Sequence, residues 1–159
     1  RGQLFLPELM LAAEAMKAAS AICVEALPAT EVKVAKKVVI GTVEGDIHDI
    51  GKSIVVSFLL ANGFEVYDMG RDVPIADFVQ KAREVGADVV GSSALLTTTM
   101  QKQMVLEEEL KKAGIRDKVK TIVGGAPCSE QWAKRIGADA YAESAVDGLN
   151  KIKELTGLA

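Results

Sequence analysis

The chain has 159 residues, of which 49% are hydrophobic and 26% are charged, as in one soluble globular domain with an aliphatic core. Its net charge is −3, with 19 basic and 22 acidic residues in mixed order, which excludes the basic stripe of a nucleic-acid-binding protein. No apolar run approaches the roughly 20 residues that span a bilayer, and Cys23 and Cys128 are too far apart for a CxxC pair. We therefore expect a cytoplasmic protein without disulfides or a signal peptide. Because residue 1 is Arg rather than Met, we also expect a fragment of a longer chain.

The N-terminal segment predicts one long helix. Residues 4–27 are rich in Ala, Leu, Met and Glu, which favour helices, and their apolar residues recur at helical spacing. Pro28 and the polar residues after it indicate the end of this helix. We therefore divide the chain into a helical segment over residues 1–29, a linker over 30–36 and a folded domain over 37–159.

From residue 37 onward, short β-branched runs alternate with longer helical patterns. The predicted strands cover residues 38–43, 64–69, 88–93, 120–123 and 138–142. The predicted helices cover residues 50–61, 75–84, 99–113, 130–136 and 145–155. This alternation predicts an α/β fold with a five-stranded, doubly wound parallel sheet of the flavodoxin or Rossmann-like type. Because ligands of such folds bind beyond the carboxyl ends of the strands, we expect function in the loops after strands one, three, four and five.

The loop after the first predicted strand contains His48, the only histidine of the chain. A neutral imidazole is a common metal ligand, and Asp46, two residues earlier, is placed to hold its other ring nitrogen. Gly45 and Gly51 allow a large flat ligand to approach the backbone closely. The structural alternative is a surface histidine beside Asp49, which would cap the next helix.

The residues Gly51-Lys52-Ser53 resemble the end of a phosphate-binding P-loop, whose pattern is G-x-x-x-x-G-K-[ST]. The first glycine of that pattern falls on Asp46, whose carboxylate would repel a phosphate. We therefore reject the P-loop interpretation.

Two further loops contain short polar or small residues at predicted strand ends. Residues 97–99 are three threonines before a predicted helix, and they favour either capping by Thr98 or Thr99 or a set of hydroxyls around a polar ligand. Residues 124–127, Gly-Gly-Ala-Pro, indicate either a simple turn or a slot for a planar group.

Together, these loops resemble the signature of cobalamin-binding domains. The matching motifs are Asp46-x-His48-x-x-Gly51, Ser93-x-Leu95 and Gly124-Gly125, and they occur in the family's order over nearly the whole chain. In that family the cofactor's own benzimidazole base leaves the cobalt, a histidine replaces it as the lower axial ligand, and the nucleotide tail enters the sheet.

The resemblance implies a corrinoid cofactor bound base-off, with His48 as the lower ligand of cobalt and Asp46 hydrogen-bonded to it. Thr99 stands where methionine synthase has a serine that extends this relay. Threonine keeps the hydroxyl and adds a methyl group, which leaves open whether the relay is complete. His48, Asp46 and Thr99 are the residues that the resemblance assigns to catalysis, and His48 is the metal ligand. The residues expected to contact the cofactor are Gly45, Asp46, Ile47, His48, Asp49, Ile50, Gly51, Ser93, Leu95, Leu96, Thr97, Gly124, Gly125, Ala126, Ala142 and Ser144.

The N-terminal helix resembles the last helix of the helical cap in corrinoid proteins of methanol, methylamine and methoxyaromatic methyltransferase systems. Residues 1–29 would then be what remains of the cap, and residues 37–159 the corrinoid-binding domain. The resemblance implies a methyl carrier that shuttles a methyl group on cobalt and is not catalytic without partner enzymes. Its implied partners are a substrate-specific methyltransferase that methylates cobalt, a second methyltransferase that passes the methyl group to tetrahydrofolate or a thiol, and a reductive activase. Neither nucleic acid nor a membrane is expected as a partner.

Three other functions fit parts of this pattern. A cobalamin-binding subunit of a mutase shares the domain but lacks the cap helix. A cobalamin-based sensor shares the domain as well, but no DNA-binding segment is visible in this chain. A signalling receiver or flavodoxin-like module shares the fold, but a receiver needs a phosphorylatable aspartate after strand three, where this chain has serine, leucine and threonine.

Overall fold

The computed structural model of the protein describes residues 7–8, 11–12, 15, 18–19 and 36–158. The strands are β1 (Lys37–Thr42), β2 (Glu65–Asp68), β3 (Val89–Ser93), β4 (Lys120–Gly124) and β5 (Ala140–Ala142). The helices that alternate with them are α1 (Ile50–Ala61), α2 (Ile75–Val85), α3 (Thr97–Lys112), α4 (Glu130–Ile136) and α5 (Ala145–Thr156). None of the helices in this described part of the chain is long and apolar enough to cross a membrane.

The five strands form one parallel sheet in the order β2-β1-β3-β4-β5. The central strand pair runs in register from Val38 opposite Val89 to Thr42 opposite Ser93. This order confirms the predicted doubly wound fold. It also places the reversal of strand order between β1 and β3, where such sheets open a crevice for ligands.

The core lies on both faces of the sheet, because successive residues of a strand point to opposite faces. On one face, Val39 and Val90 pack against Phe78 of α2 and Leu110 of α3. On the other face, an equally buried cluster joins the sheet to α1 and α5; its members are Val38, Ile40, Val56, Leu59, Phe64, Val89, Ile122 and Ile152. Burial of such side chains stabilises the fold by about 1.5–3 kcal/mol each.

The predicted elements agree with the structure to within one or two residues at most ends. The last strand is shorter than predicted and begins at Ala140 rather than Ala138. The amide of Ala138 is needed elsewhere: it donates to the carbonyl of Ala133 and so completes the left-handed turn at Gly137 that ends α4. In the N-terminal segment the described residues from 7 to 19 that carry an assignment are helical, and the rest of the predicted helix and linker residues 30–35 lie outside the described residues.

An ion cluster around Arg116 lies at the end of the sheet where strand β4 begins. The guanidinium of Arg116 bonds the carboxylate of Glu107 at 2.5 Å and that of Asp139 at 2.9 Å, and it donates to the carbonyls of Val119 and Gly137. The Glu107 side chain is only 3% exposed, and burial raises its pKa despite the opposing effects of Thr121 and Arg116. Arg116 therefore supplies the positive charge that offsets the cost of burying the Glu107 carboxylate.

We expect Arg116→Met to lower the free energy of unfolding by about 3 kcal/mol at pH 7, because it leaves Glu107 buried and uncompensated. The deficit should shrink as the pH falls, because a protonated Glu107 no longer needs a cation. Urea unfolding between pH 7 and pH 4 measures both effects. The control is Lys134→Met, which breaks an exposed pair with Glu130 and should cost less than about 1 kcal/mol. Equal losses in the two variants would contradict the prediction.

Candidate functional site

The centre of the site is Asp46, a fully buried carboxylate in the loop after β1. The loop turns sharply at Gly45, whose φ of 83° is in the region that favours glycine. The Asp46 amide donates to the carbonyl of Val43 at 3.0 Å, so the turn is closed by its own backbone. This turn directs the Asp46 side chain inward, toward the end of β3.

Both carboxylate oxygens of Asp46 accept hydrogen bonds. Oδ2 accepts from the Thr99 hydroxyl at 2.6 Å and from the Leu95 amide at 2.7 Å. Oδ1 accepts from the backbone amide of His48 at 3.1 Å and lies 2.8 Å from Nδ1 of its ring. Burial by itself raises the pKa of Asp46, but the donors from Thr99, Leu95 and His48 together hold it well below its usual range. Asp46 is therefore an anion at every physiological pH.

The N-terminus of α3 depends on this carboxylate. The helix begins at Thr97, two residues earlier than predicted, with Leu96 at the N-cap position and no side-chain cap. Of the two interpretations of the threonines, capping by Thr98 or Thr99 is therefore wrong, and hydroxyls around a polar ligand stay a prediction. Instead, Asp46 accepts from the amides just before the helix and from the hydroxyl in its first turn. A negative charge at a helix N-terminus is favourable, so the Asp46 carboxylate stabilises the start of α3 from another loop.

His48 is held with one ring nitrogen occupied and the other available. Because Asp46 is ionised, Nδ1 must carry the proton and donate it to the carboxylate. The neutral ring then keeps its lone pair on Nε2, and the side chain is 47% exposed. The His48 carbonyl accepts from the hydroxyl of Thr42 at 3.2 Å, which fixes the backbone as well. A histidine oriented by a carboxylate in this way is typical of a metal ligand.

Exposed apolar side chains lie in the His48 loop and in the loop after β3 that bonds the same aspartate. Ile47 and Ile50 are 63% and 50% exposed, and Leu95 and Leu96 across the crevice are 42% and 44% exposed. This apolar platform, defined by these four residues, fits the face of a large flat ligand. A single nitrogen donor near this platform suits a metal whose other ligands come from such a macrocycle.

A cavity of about 320 Å³ opens between α1, α5 and the carboxyl ends of the strands. The predicted contact residues that line it are Gly51, Ser93, Gly124, Gly125, Ala126, Ala142 and Ser144. The remaining predicted residues belong to the His48 loop or the apolar platform, apart from Thr97, which is exposed at the start of α3, and Asp49, which stands at the N-cap of α1 without a side-chain cap. The structure therefore divides the predicted set into a flat site around His48 and a deep cavity beside it.

Glycine is required at the cavity wall. Gly125 has a φ of +115°, and a Cβ atom there would lie 1.8 Å from the carbonyl oxygen of Ala94. A Cβ atom on Gly91 would approach Ile40 to 3.1 Å. Glycine at these two positions therefore lets the chain pass close to the backbone of Ala94 and the side chain of Ile40.

The sequence did not indicate a role for Gln103, whose side chain bonds the carboxyl ends of β3 and β4. Its side chain is buried, and Nε2 donates to the carbonyls of Ser92 at 3.0 Å and Gly124 at 3.3 Å. Its Oε1 accepts from the indole of Trp132 at 2.9 Å and from the thiol of Cys128. A glutamine inside a helix gives no signal of such a role, since glutamine is common on exposed helix faces.

Lys52 and Thr42 were also missed as parts of the site. Lys52 lines the cavity, although its ammonium is buried and pairs with Asp68 at 2.5 Å. Thr42 is fully buried at the end of β1, where its hydroxyl holds the His48 backbone. A polar residue at the end of an otherwise apolar strand was the available signal for Thr42.

Comparison with known proteins shows similarity over this whole region. Residues 36–150 match the B12 binding domain. The chain is 56% identical over 156 residues to dimethylamine corrinoid protein 2 of Methanosarcina acetivorans, covering 98% of this chain and 72% of that protein. It is 57% identical over 159 residues to trimethylamine corrinoid protein 2 of the same organism, covering 96% of this chain and 71% of that protein. The solved methanol:cobalamin methyltransferase complex of Methanosarcina barkeri matches with a TM-score of 0.83 and 34% identity, over 97% of this chain and 59% of that one.

We expect Asp46→Asn to lower the free energy of unfolding at pH 7 by about 2 kcal/mol, because an amide cannot accept all the donors that now meet the carboxylate. The folded-state pKa of Asp46 lies below its ordinary value of 3.8, so its stabilisation is present above about pH 4 and is lost as the pH falls further. The difference between wild type and variant should therefore narrow below pH 4. Urea unfolding from pH 7 to pH 2 measures it.

The control for this experiment is Glu108→Gln, which changes an exposed carboxylate in the middle of α3. Its effect should remain within about 0.5 kcal/mol throughout the same pH range. A constant difference between wild type and Asp46→Asn from pH 7 to pH 2 would show that the charge of Asp46 is not what stabilises the loop.

Proposed function

The chain belongs to the family of B12-binding domains, and from this premise we propose that it carries a methyl group on a corrinoid between partner methyltransferases. The observation that carries the proposal is the continuous set of hydrogen bonds from Thr99 through Asp46 to His48. It leaves Nε2 of His48 without a hydrogen bond to any described residue, near the exposed apolar platform and the cavity.

His48 would bind the cobalt through Nε2. Asp46 would keep the proton on Nδ1 and so keep the lone pair on the ligating nitrogen, and its charge would make the imidazole a better donor. The Thr99 hydroxyl donates to Asp46 and also contacts the Leu96 carbonyl at 3.0 Å, so the carboxylate stays in place whichever way the ring moves. When bound, the corrinoid supplies the cobalt that accepts and releases the methyl group.

The cavity would hold the nucleotide tail of the corrinoid, which leaves the cobalt free for His48. Its lining is mainly backbone and small side chains at the strand ends, with Ser93 and Ser144 as hydroxyl groups. Its apolar floor is formed by residues such as Ile40 and Val55. A narrow slot with an apolar floor and a few hydroxyls suits an aromatic base joined to a polar linker.

The proposed partners follow from the names of the relatives. Two of them are corrinoid proteins of dimethylamine and trimethylamine systems, and a solved relative is in a complex of methanol:cobalamin methyltransferase. The donor enzyme would be a methyltransferase specific for a small methylated amine, and we also propose that the chain is cytoplasmic. A second methyltransferase would pass the methyl group to tetrahydrofolate or a thiol, and a reductive activase would restore the cofactor. The protein would be a carrier and not an enzyme by itself.

The N-terminal residues 1–29 would contribute the last helix of a helical cap, joined by a linker over residues 30–36. This part of the proposal favours a methyl carrier over a mutase subunit or a sensor module. The names of the relatives point in the same direction.

We expect the cobalt(II) form of the reconstituted protein to show an axial nitrogen splitting in its electron paramagnetic resonance spectrum. Since His48 is the only histidine, growth with ¹⁵N-histidine should change that splitting from a triplet to a doublet. The His48→Ala variant should lose the splitting, and added imidazole should restore it. A splitting that ignores the isotope would mean that another nitrogen ligates the cobalt and would sink the assignment.

A second variant tests the cavity. We expect Val55→Phe to weaken binding of hydroxocobalamin roughly tenfold, because an enlarged side chain occupies the space proposed for the tail. Binding of cobinamide, a corrinoid without the nucleotide tail, should be unaffected. The matched control is Ile54→Phe, on the same helix but outside the cavity lining. Both affinities are measured by visible absorbance titration, and equal losses for the two ligands would contradict a tail in this cavity.

A further inference from the structure

The connection between β2 and α2 runs beside the His48 loop and is bonded to it repeatedly. The Thr42 amide donates to the Gly70 carbonyl at 2.9 Å, and the Val73 amide donates to the Thr42 carbonyl at 3.0 Å. Two further bonds come from Asp72, one from its backbone and one from its side chain. This connection, over residues 70–73, extends the sheet past the end of β1 and supports the loop from one side.

Asp72 holds the Gly45–Asp46 segment at two points. Its amide donates to the Asp46 carbonyl at 2.9 Å, and its Oδ1 accepts from the Gly45 amide at 2.7 Å. Since the Asp46 amide is already bonded to the Val43 carbonyl, Asp72 completes the anchoring of the Asp46 backbone on both sides. The direction of the Asp46 carboxylate is therefore set by Asp72 as well as by the groups that donate to it.

The backbone of Asp72 is unusual. Its φ of +54° makes it the one non-glycine residue with a positive φ in the part of the chain that the structure describes. Aspartate tolerates this conformation better than most residues, yet it still has an energetic cost that the surroundings must offset. In this conformation the amide and the carboxylate of Asp72 both reach the same loop, which is what the two hydrogen bonds require.

We propose that Asp72 is a positioning residue for His48, acting through Asp46. The imidazole is held by the Asp46 carboxylate, the carboxylate is held by the Asp46 backbone, and the backbone is held by Asp72. The exposed ion pair between Glu44 and Lys102 also spans this loop, but both of its side chains are over 40% exposed, so it contributes little. The importance of this arrangement for the corrinoid rests on the proposed function, whereas the arrangement itself concerns the chain alone.

The test uses the single histidine as a probe in the protein without cofactor. Imidazole ¹⁵N resonances distinguish the ring that carries its proton on Nδ1 from the ring that carries it on Nε2. Asp72→Gly keeps the positive φ and the amide but removes the side-chain acceptor of the Gly45 amide. Asp72→Asn keeps all three features and is the matched control.

We expect wild type and Asp72→Asn to show the Nδ1–H form of His48 as the dominant one. In Asp72→Gly the ratio of the Nδ1–H to the Nε2–H form should fall about fivefold, the change that loss of one ordinary hydrogen bond makes in an equilibrium. An unchanged ratio in Asp72→Gly, with or without a lower melting temperature, would overturn the proposal. So would an equal fall in Asp72→Asn.

A measurement on the wild-type protein keeps the test independent of how the variants fold. Gly45 is exposed, so its amide hydrogen should exchange slowly only if Asp72 holds it. Free exchange of the Gly45 amide would also overturn the proposal. The isotope test on cobalt(II) separates this result from the proposed function: a failure there removes His48 as a ligand but leaves the tautomer ratio to decide the role of Asp72.

Discussion

The organisation of the site depends on one buried charge, the carboxylate of Asp46. A buried carboxylate is costly unless every lone pair meets a donor, and here the donors come from two parts of the chain, the His48 loop and the start of α3. Satisfying the charge therefore joins the carboxyl ends of β1 and β3 across the point where the strand order reverses. The same carboxylate stabilises the start of α3 and orients the imidazole of His48.

The fold could be read from the sequence because apolar strands and helical patterns alternate without ambiguity. The β-branched runs that contain Val38 and Val89 predicted buried parallel strands, and these two residues lie opposite each other in the sheet. The His48 loop was also visible, since the sequence has one histidine with an aspartate two residues before it. What local pattern cannot show is which distant group bonds the start of a helix, and so capping by Thr98 or Thr99 stayed one of two interpretations until the structure showed Asp46 there.

The residues missed in the site share a physical reason. Gln103, Thr42 and Asp72 act through contacts that bridge residues far apart in sequence or depend on backbone conformation. Gln103 and Asp72 are ordinary residues for a helix and a turn, and only Thr42, a polar residue at the end of an apolar strand, gave a local signal. The glycines at the cavity were easier to predict, because the pair Gly124-Gly125 indicated a site without side chains. Only the position of Ala94 in the structure explains why glycine is needed at residue 125.

Helix α3 connects the His48 site with the ion cluster around Arg116. Its first turn is tied to Asp46, and further along, Glu107 is tied through Arg116 to the opposite edge of the sheet. A helix that is bonded near both ends resists tilting far more than a helix that is bonded at one point. The position of the half-exposed imidazole of His48 is thus fixed relative to the whole sheet and not only relative to its own surface loop. We expect the orientation of the His48 ring to vary as little as that of a buried side chain. Its solvent-facing Nε2 atom can then meet a ligand at a reproducible angle.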